Sequence, residues 1–179
     1  MDGETWDSPW SPHDARSLVV VTSSSLYEAQ EDLLRRTIAA LGTLPVRALV
    51  TLGPALDPAD FETPGNVHAV RSAPHGALFD KAAVVVTHGG HGSVIRPLMA
   101  GRPVLVLPGL RDQRDNAMRV TARGAGLMLE RDAAPEKIAG AVTQLMEDPT
   151  YRDAASRLGA AIAEDLARRG AEGVLESML

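Results

Sequence analysis

The sequence contains no cysteine and very few aromatic residues. Without cysteine, its 179 residues can form no disulfide, no thiolate metal site and no cysteine nucleophile. Aromatic residues make up 3% of the chain, whereas hydrophobic residues together make up 45%, so the core must be built mainly from Val, Leu, Ala and Ile. That composition is typical of parallel sheets covered by helices and argues against an aromatic-rich β-sandwich.

The sequence also lacks an excess of basic charge and long apolar runs. Its formal net charge of -5 and its pI of about 5.5 provide no positive field for a phosphate backbone, so nucleic acid is not an expected partner. No apolar run approaches the roughly 18 residues of a membrane span, and nothing near Met1 resembles a signal peptide. We therefore expect one cytoplasmic domain, since a single core usually takes about 100 to 200 residues.

Short apolar bursts alternate with helical patterns after a polar, proline-containing opening. Residues 1–16 show no hydrophobic period and are predicted to be a linker or tail. Between residues 17 and 179, six β-rich bursts are separated or followed by helical segments. This alternation predicts an α/β fold, with a Rossmann-like parallel sheet of about six strands and flanking helices.

We also make predictions for the segments that precede and follow the predicted sheet. Trp6 and Trp10 lie in the predicted linker, where they would pack against an absent domain or a neighbouring chain. At the other end, amphipathic patterns predict one helix from Pro135 to Asp148 and a second from about Thr150 to Arg169. Both helices are expected to dock on the sheet.

A glycine-rich turn follows the apolar strand AVVVT and precedes a helical pattern. It has the sequence HGGHGS, from His88 to Ser93, and lies at the carboxyl edge of the predicted sheet, where open α/β sheets bind ligands. Its glycines let the backbone approach a ligand closely, while free N–H groups and the helix dipole attract phosphate. The alternative is a simple turn with histidines on the surface.

A second polar turn follows the next strand, VLVLP. Asp112 and Gln113 stand at the predicted start of another helix, at the same edge of the sheet. A carboxylate beside an amide suits sugar recognition, because the acid accepts hydrogen bonds from vicinal hydroxyls and the amide both donates and accepts. The alternative is helix capping, since Asp112 is a good N-cap residue and Asp115 follows three residues later. Because both turns should open on one crevice, we favour a site for phosphates and hydroxyls.

Both turns belong to an ordered set of motifs that spans nearly the whole chain. The motifs are Pro74-His75, HGGHGS, AGRPVLVLP, DQRDNAMRV and GAGLML. The set resembles the C-terminal, donor-binding domain of GT-B glycosyltransferases of the UDP-glycosyltransferase superfamily, family 1, and most closely the bacterial enzymes that decorate antibiotics and other natural products. The resemblance implies half of a GT-B fold, and transfer of a sugar from a nucleotide diphosphate to a small-molecule hydroxyl, with inversion and without a metal or other cofactor.

The resemblance also implies which residues hold the donor. His88 and the backbone from Gly90 to Ser93 would hold the diphosphate, Ser25 would lie near the phosphates, and Asp112 with Gln113 would hold the sugar. No metal ligand and no catalytic residue is predicted in this chain. The predicted donor-binding residues are Ser25, His75, His88, Gly89, Gly90, His91, Gly92, Ser93, Asp112 and Gln113.

Three positions depart from the pattern of family members that use UDP-glucose. Arg96 stands nine positions into the glycine-rich motif, where those members typically carry a Glu that grips the ribose hydroxyls. Ser72 and His75 replace an aromatic residue and a glutamine that lie near the base. Since a deoxyribose lacks the 2'-hydroxyl that such an acid would grip, a dTDP-sugar is slightly favoured over a UDP-sugar as the donor.

The family's N-terminal domain, which binds the acceptor and supplies a catalytic histidine, has no counterpart in this sequence. The chain is therefore expected to be inactive alone, as the donor-binding domain of a longer enzyme. An alternative is the donor-binding subunit of a split glycosyltransferase that requires a separate acceptor-binding chain. A sugar-nucleotide epimerase would need acidic catalytic groups in the crevice, where the sequence offers only Asp112 and Asp115.

Overall fold

The structure is a computed structural model that describes residues 8–23, 30–109 and 112–176, with side chains described up to residue 168. Within these ranges, strands and helices alternate along the chain, and one short 3-10 helix, Pro58–Asp60, precedes the third strand. The strands are β1 Leu18–Thr22, β2 Arg47–Thr51, β3 Val67–Val70, β4 Ala82–Thr87, β5 Val104–Val106 and β6 Gly126–Met128. The helices are α1 Glu31–Gly42, α2 His75–Phe79, α3 His91–Met99, α4 Gln113–Ala122, α5 Pro135–Glu147 and α6 Pro149–Glu176.

All six strands belong to one parallel sheet with the order β3-β2-β1-β4-β5-β6. After β1, the strands β2 and β3 are added on one side of β1. The chain then crosses to the other side of β1, where it adds β4, β5 and β6. The strand order therefore reverses between β1 and β4, and the crevice at their carboxyl ends is where open α/β sheets bind ligands. The predicted α/β fold with a six-stranded parallel sheet is confirmed.

Alternate strand residues supply two apolar layers, one on each face of the sheet. On β1, Val19 and Val21 belong to the layer that includes residues of α1 and α5, whereas Leu18 and Val20 belong to the layer that includes residues of α2, α3 and α4. Every residue of β1 is buried. A strand covered on both faces needs apolar side chains throughout, which explains the unbroken apolar runs in this sequence.

Of the two C-terminal helices, α5 forms where the pattern predicts it, whereas α6 begins as predicted but continues to Glu176, beyond the predicted end at Arg169. The two helices pack on different partners. α5 lies on α1 and on strands β4, β5 and β6, as expected. α6 packs chiefly along α3, so the expectation that both helices dock on the sheet is wrong for α6. Gly159 of α6 permits the close approach of these two helices, because a Cβ atom there would overlap the carbonyl oxygen of Leu98 on α3. None of the helices in the described part is long and apolar enough to cross a membrane.

Trp10 packs on this domain and not on another one. Its side chain is nearly buried, and its ring stands edge-on to His68 of β3 with 5.3 Å between the ring centroids. The guanidinium of Arg47 lies 5.9 Å from the same indole centroid. The interpretation that Trp10 would pack against an absent half is therefore wrong, whereas Trp6 lies outside the described residues. The boundary between residues 16 and 17 stays a prediction.

Candidate functional site

The glycine-rich turn leads from β4 directly into α3. Gly90 occupies the N-cap position, and His91 and Gly92 form the start of the first turn of the helix. Gly89 has a φ of +93°, a conformation that residues with a side chain rarely adopt, and a Cβ there would lie 2.8 Å from Cγ1 of Val106. The first N–H groups of a helix have no acceptor within it, so those of His91 and Gly92 are placed to meet an anion at the positive end of the helix dipole.

The two histidines of this turn face different places. The ring of His88 lies across Gly90, because a Cβ on that glycine would stand 2.5 Å from the His88 Nε2 atom. His88 lines a small cavity at the ends of β1 and β4 together with Thr22 and Ser23. His91 is exposed and instead lines a groove between α3 and α4. Of the two, His88 thus faces the crevice where the strand order reverses.

Ser93 stabilises the turn through its hydroxyl group. Its Oγ atom donates a hydrogen bond to the Gly90 carbonyl oxygen at 2.8 Å and accepts one from the Thr87 hydroxyl at 2.7 Å. The Thr87 oxygen in turn accepts the backbone N–H of Gly89 at 3.2 Å. The Ser93 hydrogen is therefore engaged within the turn in this structure. A contact from Ser93 to a ligand stays a prediction, and Ser25 lies outside the described residues.

Asp112 and Gln113 stand at the start of α4, where the sequence places them, but their side chains differ in exposure. Asp112 occupies the N-cap position, yet its exposed carboxylate makes no capping hydrogen bond. Its Oδ2 atom accepts instead from the Asn116 amide nitrogen at 3.1 Å. Gln113 is buried, and its Oε1 atom accepts the backbone N–H of Gly109 at 2.8 Å. The Asp112 carboxylate is therefore the more accessible polar group of this pair.

Contacts between the two turns join them at the carboxyl edge. The Asn116 amide nitrogen donates to the Gly89 carbonyl oxygen at 3.0 Å. A Cβ on Gly89 would lie 3.0 Å from the Gln113 carbonyl oxygen, so the glycine-rich turn sits directly against the start of α4. The structure thus brings Gly89, Asp112 and Gln113 together, as the adjacency of β4 and β5 requires.

His75 begins α2, and its ring is fixed from two sides. Its Nε2 atom lies 3.0 Å from the Thr51 hydroxyl, whose single hydrogen is donated to the Val21 carbonyl oxygen. The Nε2 atom must therefore be the donor, and the neutral ring keeps Nδ1 as an acceptor. The ring also stacks on Phe79, with 5.5 Å between the centroids. Burial, and secondarily the positive charge of Arg96, lower the pKa of His75, which favours the neutral form.

Three buried threonines at the carboxyl edge of the sheet were not predicted from the sequence, and two of them hold residues of the candidate site. Thr51, Thr22 and Thr87 end three neighbouring strands and are partners in register. Thr51 holds the His75 ring, and Thr87 holds the glycine-rich turn. A signal for them was present, because the apolar strand segments LVVVT, RALVT and AAVVVT all end in threonine at the edge where ligands bind.

Arg131 also reaches this edge, from the loop that follows β6. A Cβ on Gly109 would lie 2.6 Å from Arg131 Nη1 and 3.1 Å from Gln113 Oε1, so the guanidinium and the amide oxygen converge on Gly109. The Arg131 carbonyl oxygen accepts from Arg36 Nη2 on α1 at 2.9 Å. No pattern in the sequence points to this contact, because Arg131 is far along the chain from Gly109. In the described part of the chain, no three His, Asp or Glu side chains are grouped so that they could hold a metal ion.

Comparison with known proteins identifies the family. A model described as the C-terminal domain of erythromycin biosynthesis protein CIII-like proteins matches residues 35–174. The chain belongs to this family. Its fold is that of the C-terminal domain of a GT-B glycosyltransferase, and the resemblance stated from the motifs is confirmed.

Curated proteins similar to this chain include a synthase and a rhamnosyltransferase. Over 151 residues the chain is 33% identical to a 4'-demethylrebeccamycin synthase of Lentzea aerocolonigenes, covering 83% of this chain and 35% of that protein. Over 163 residues it is 34% identical to a PGL/p-HBAD biosynthesis rhamnosyltransferase of Mycobacterium bovis (strain BCG / Pasteur 1173P2), covering 89% of this chain and 34% of that protein. The chain thus spans about a third of the length of these curated relatives.

Solved structures of glycosyltransferases are also similar to this chain over part of their length. The calicheamicin glycosyltransferase CalG4 has a TM-score of 0.84 and 27% identity, with 97% of this chain and 45% of that chain covered. The glycosyltransferase VinC, solved in complex with dTDP, has a TM-score of 0.72 and 28% identity, with 82% of this chain and 37% of that chain covered. The CIII-like domain therefore corresponds to less than half of each of these enzymes.

Proposed function

We propose that this chain is the donor-binding domain of an inverting, metal-independent glycosyltransferase that moves a sugar from a nucleotide diphosphate to a hydroxyl of a small-molecule natural product. One observation carries the proposal. The glycine-rich turn and the Asp112 turn lie at the ends of neighbouring strands and are joined through Asn116. One turn suits a diphosphate and the other a sugar, and the two groups are covalently linked in such a donor.

The start of α3 binds the diphosphate in this proposal. The N–H groups of His91 and Gly92 and the positive end of the helix dipole stabilise the negative charge that develops on the departing β-phosphate. His88 adds a ring nitrogen that donates a hydrogen bond from the same crevice. These groups provide leaving-group stabilisation of the kind that a metal ion supplies in other transferases.

The nucleoside then extends away from the sugar, towards α2. With the phosphates at the end of β4 and the sugar at the end of β5, a linear donor places its base on the opposite side, where His75 begins α2. The neutral His75 ring offers Nδ1 as an acceptor, which suits the ring N–H of thymine or uracil but not the unprotonated ring nitrogen of cytosine. VinC was solved with dTDP, which supports a thymidine donor.

The acceptor site and the catalytic base come from outside this chain in the proposal. The curated relatives are about two and a half times as long, and the remaining part of such an enzyme would bind the acceptor and remove the proton from its hydroxyl. The donor-binding domain alone would then bind the nucleotide without transferring the sugar.

A calorimetric panel tests the proposal directly. The chain would be titrated with dTDP, UDP, CDP and GDP and with dTDP-glucose, without added metal and again with Mg²⁺. We expect dTDP and UDP to bind more tightly than CDP, whose base lacks the ring N–H, and we expect Mg²⁺ to be unnecessary for binding. Failure of all four nucleotides to bind would overturn the proposed function, and binding that requires Mg²⁺ would overturn its metal independence.

A further inference from the structure

Asn116 in the first turn of α4 contacts both halves of the candidate site through one nitrogen atom. Its Nδ2 donates to the Gly89 carbonyl oxygen at 3.0 Å and to Asp112 Oδ2 at 3.1 Å. An amide nitrogen carries two hydrogens, so it can satisfy both acceptors at once. One side chain therefore connects the turn that follows β4 with the turn that follows β5.

The Asp112 carboxylate depends on this contact for its orientation. It stands at the N-cap position without making a capping bond. Within the described part of the chain, the bond from Asn116 is the hydrogen bond that this carboxylate receives. An exposed carboxylate with no partner would sample several rotamers, and ordering it at the moment of binding would cost free energy.

The Gly89 carbonyl is the second group that Asn116 holds. Gly89 adopts a left-handed backbone conformation, with a φ of +93°, directly before the N-cap of α3. The orientation of the Gly89 peptide determines where the N–H groups that follow it point. A donor to its carbonyl oxygen therefore helps to hold the phosphate-binding turn at a set distance from the start of α4.

We propose that Asn116 is a positioning residue that sets the Asp112 carboxylate in register with the glycine-rich turn, so that the sugar and the diphosphate of one donor are recognised together. This inference rests on the proposed function, because it assumes that a nucleotide sugar spans the two turns. In this proposal, Asn116 touches neither sugar nor phosphate but determines how much the sugar contributes to the affinity for the donor.

The experiment compares the affinities of dTDP-glucose and dTDP in the same protein. The Kd of dTDP divided by the Kd of dTDP-glucose measures the contribution of the sugar, and this quotient is the ratio compared below. In the wild-type chain we expect dTDP-glucose to bind more tightly than dTDP. Asn116→Ala should reduce this ratio by about tenfold, which is the effect of losing one hydrogen bond to a charged group.

Asn116→Asp serves as the isosteric second variant, in case the alanine variant folds poorly. A carboxylate has the same shape but cannot donate to the Gly89 carbonyl, and it repels Asp112, so the ratio should fall at least as far. Thr121→Ala is the matched control on the same helix. Its hydroxyl donates to the Ala117 carbonyl oxygen one turn back, and in the described part of the chain this is its hydrogen bond, so the Thr121→Ala variant should keep the wild-type ratio.

A double-variant cycle with Asp112→Ala distinguishes positioning from general destabilisation. If Asn116 acts through Asp112, then Asn116→Ala should leave the ratio unchanged once Asp112 has been removed. An unchanged ratio in both single Asn116 variants would overturn the inference, as would additive effects in the double variant or a sugar contribution that does not depend on Asp112. Failure of the wild-type chain to bind dTDP at all would instead overturn the proposed function beneath it.

Discussion

His88 is the side chain on which nucleotide affinity should depend most directly. Its ring lies across Gly90 and faces the crevice between β1 and β4. We expect His88→Ala to weaken dTDP binding by about 1–3 kcal/mol, the cost of losing a hydrogen bond to a charged phosphate oxygen. Calorimetry at constant pH measures this change. His13, an exposed histidine that precedes β1, provides the control variant His13→Ala, and equal affinities in the two variants would contradict the phosphate assignment.

His75 should make folding stability depend on pH. Its pKa in the folded chain is lowered from 6.5 by burial and by Arg96, so the unfolded chain takes up a proton at a higher pH than the folded chain does. The free energy of unfolding should therefore fall as the pH decreases from about 6.5 towards the folded-state pKa. His75→Gln keeps an amide that can donate to Thr51 and should remove this part of the decline. Urea unfolding between pH 7.5 and 5 measures both profiles, and identical slopes would contradict the prediction.

Most strands and helices could be predicted from the sequence, because each is marked by a local pattern. Strands that are buried on both faces have unbroken apolar sequences, such as AVVVT. Helices α5 and α6 are indicated by the amphipathic spacing of their apolar residues. The packing partner of α6 could not be predicted, since an apolar stripe looks the same whether it covers a sheet or another helix. The role of Asp112 could not be predicted either, because the sequence does not show whether its carboxylate caps the helix or, as in the structure, accepts a hydrogen bond from Asn116 one turn later.

The contact between α3 and α6 should be sensitive to a single methyl group. A Cβ on Gly159 would overlap the Leu98 carbonyl oxygen of α3, so Gly159→Ala must push the helices apart. We expect a net loss of about 1–2 kcal/mol in the free energy of unfolding, since overpacking typically costs about 1–3 kcal/mol and the better helix propensity of alanine returns up to about 1 kcal/mol.

Gly140 on α5 provides the matched control for this substitution. It is also a helical glycine, but a Cβ there would meet nothing within 4 Å. Gly140→Ala should therefore gain up to about 1 kcal/mol from helix propensity alone. Urea unfolding of both variants gives the comparison. A stabilising effect of Gly159→Ala would mean that α6 does not approach α3 as closely as the structure shows.

At the scale of the whole molecule, the strand order determines where the parts of a donor can lie. The sheet order places the ends of β1 and β4 side by side, with α2 on one side of the crevice and α4 on the other. His75 and Asp112 therefore bracket the glycine-rich turn from opposite directions. Under the proposed function, the base, diphosphate and sugar of a linear nucleotide sugar would lie along these three positions, whereas a compact ligand would engage only part of them.

We expect this chain to bind the nucleotide donor without transferring the sugar. Under the proposed function, this chain binds the donor, while the acceptor site and the catalytic base belong to another domain. At a dTDP concentration of 100 times Kd, the nucleotide should stabilise the chain by about 2.7 kcal/mol, which a thermal melt detects as a higher Tm. With dTDP-glucose and a panel of hydroxylated natural products, the chain alone should form no glycoside. Transfer by the isolated chain would show that it supplies its own base, and would contradict the division of labour proposed here.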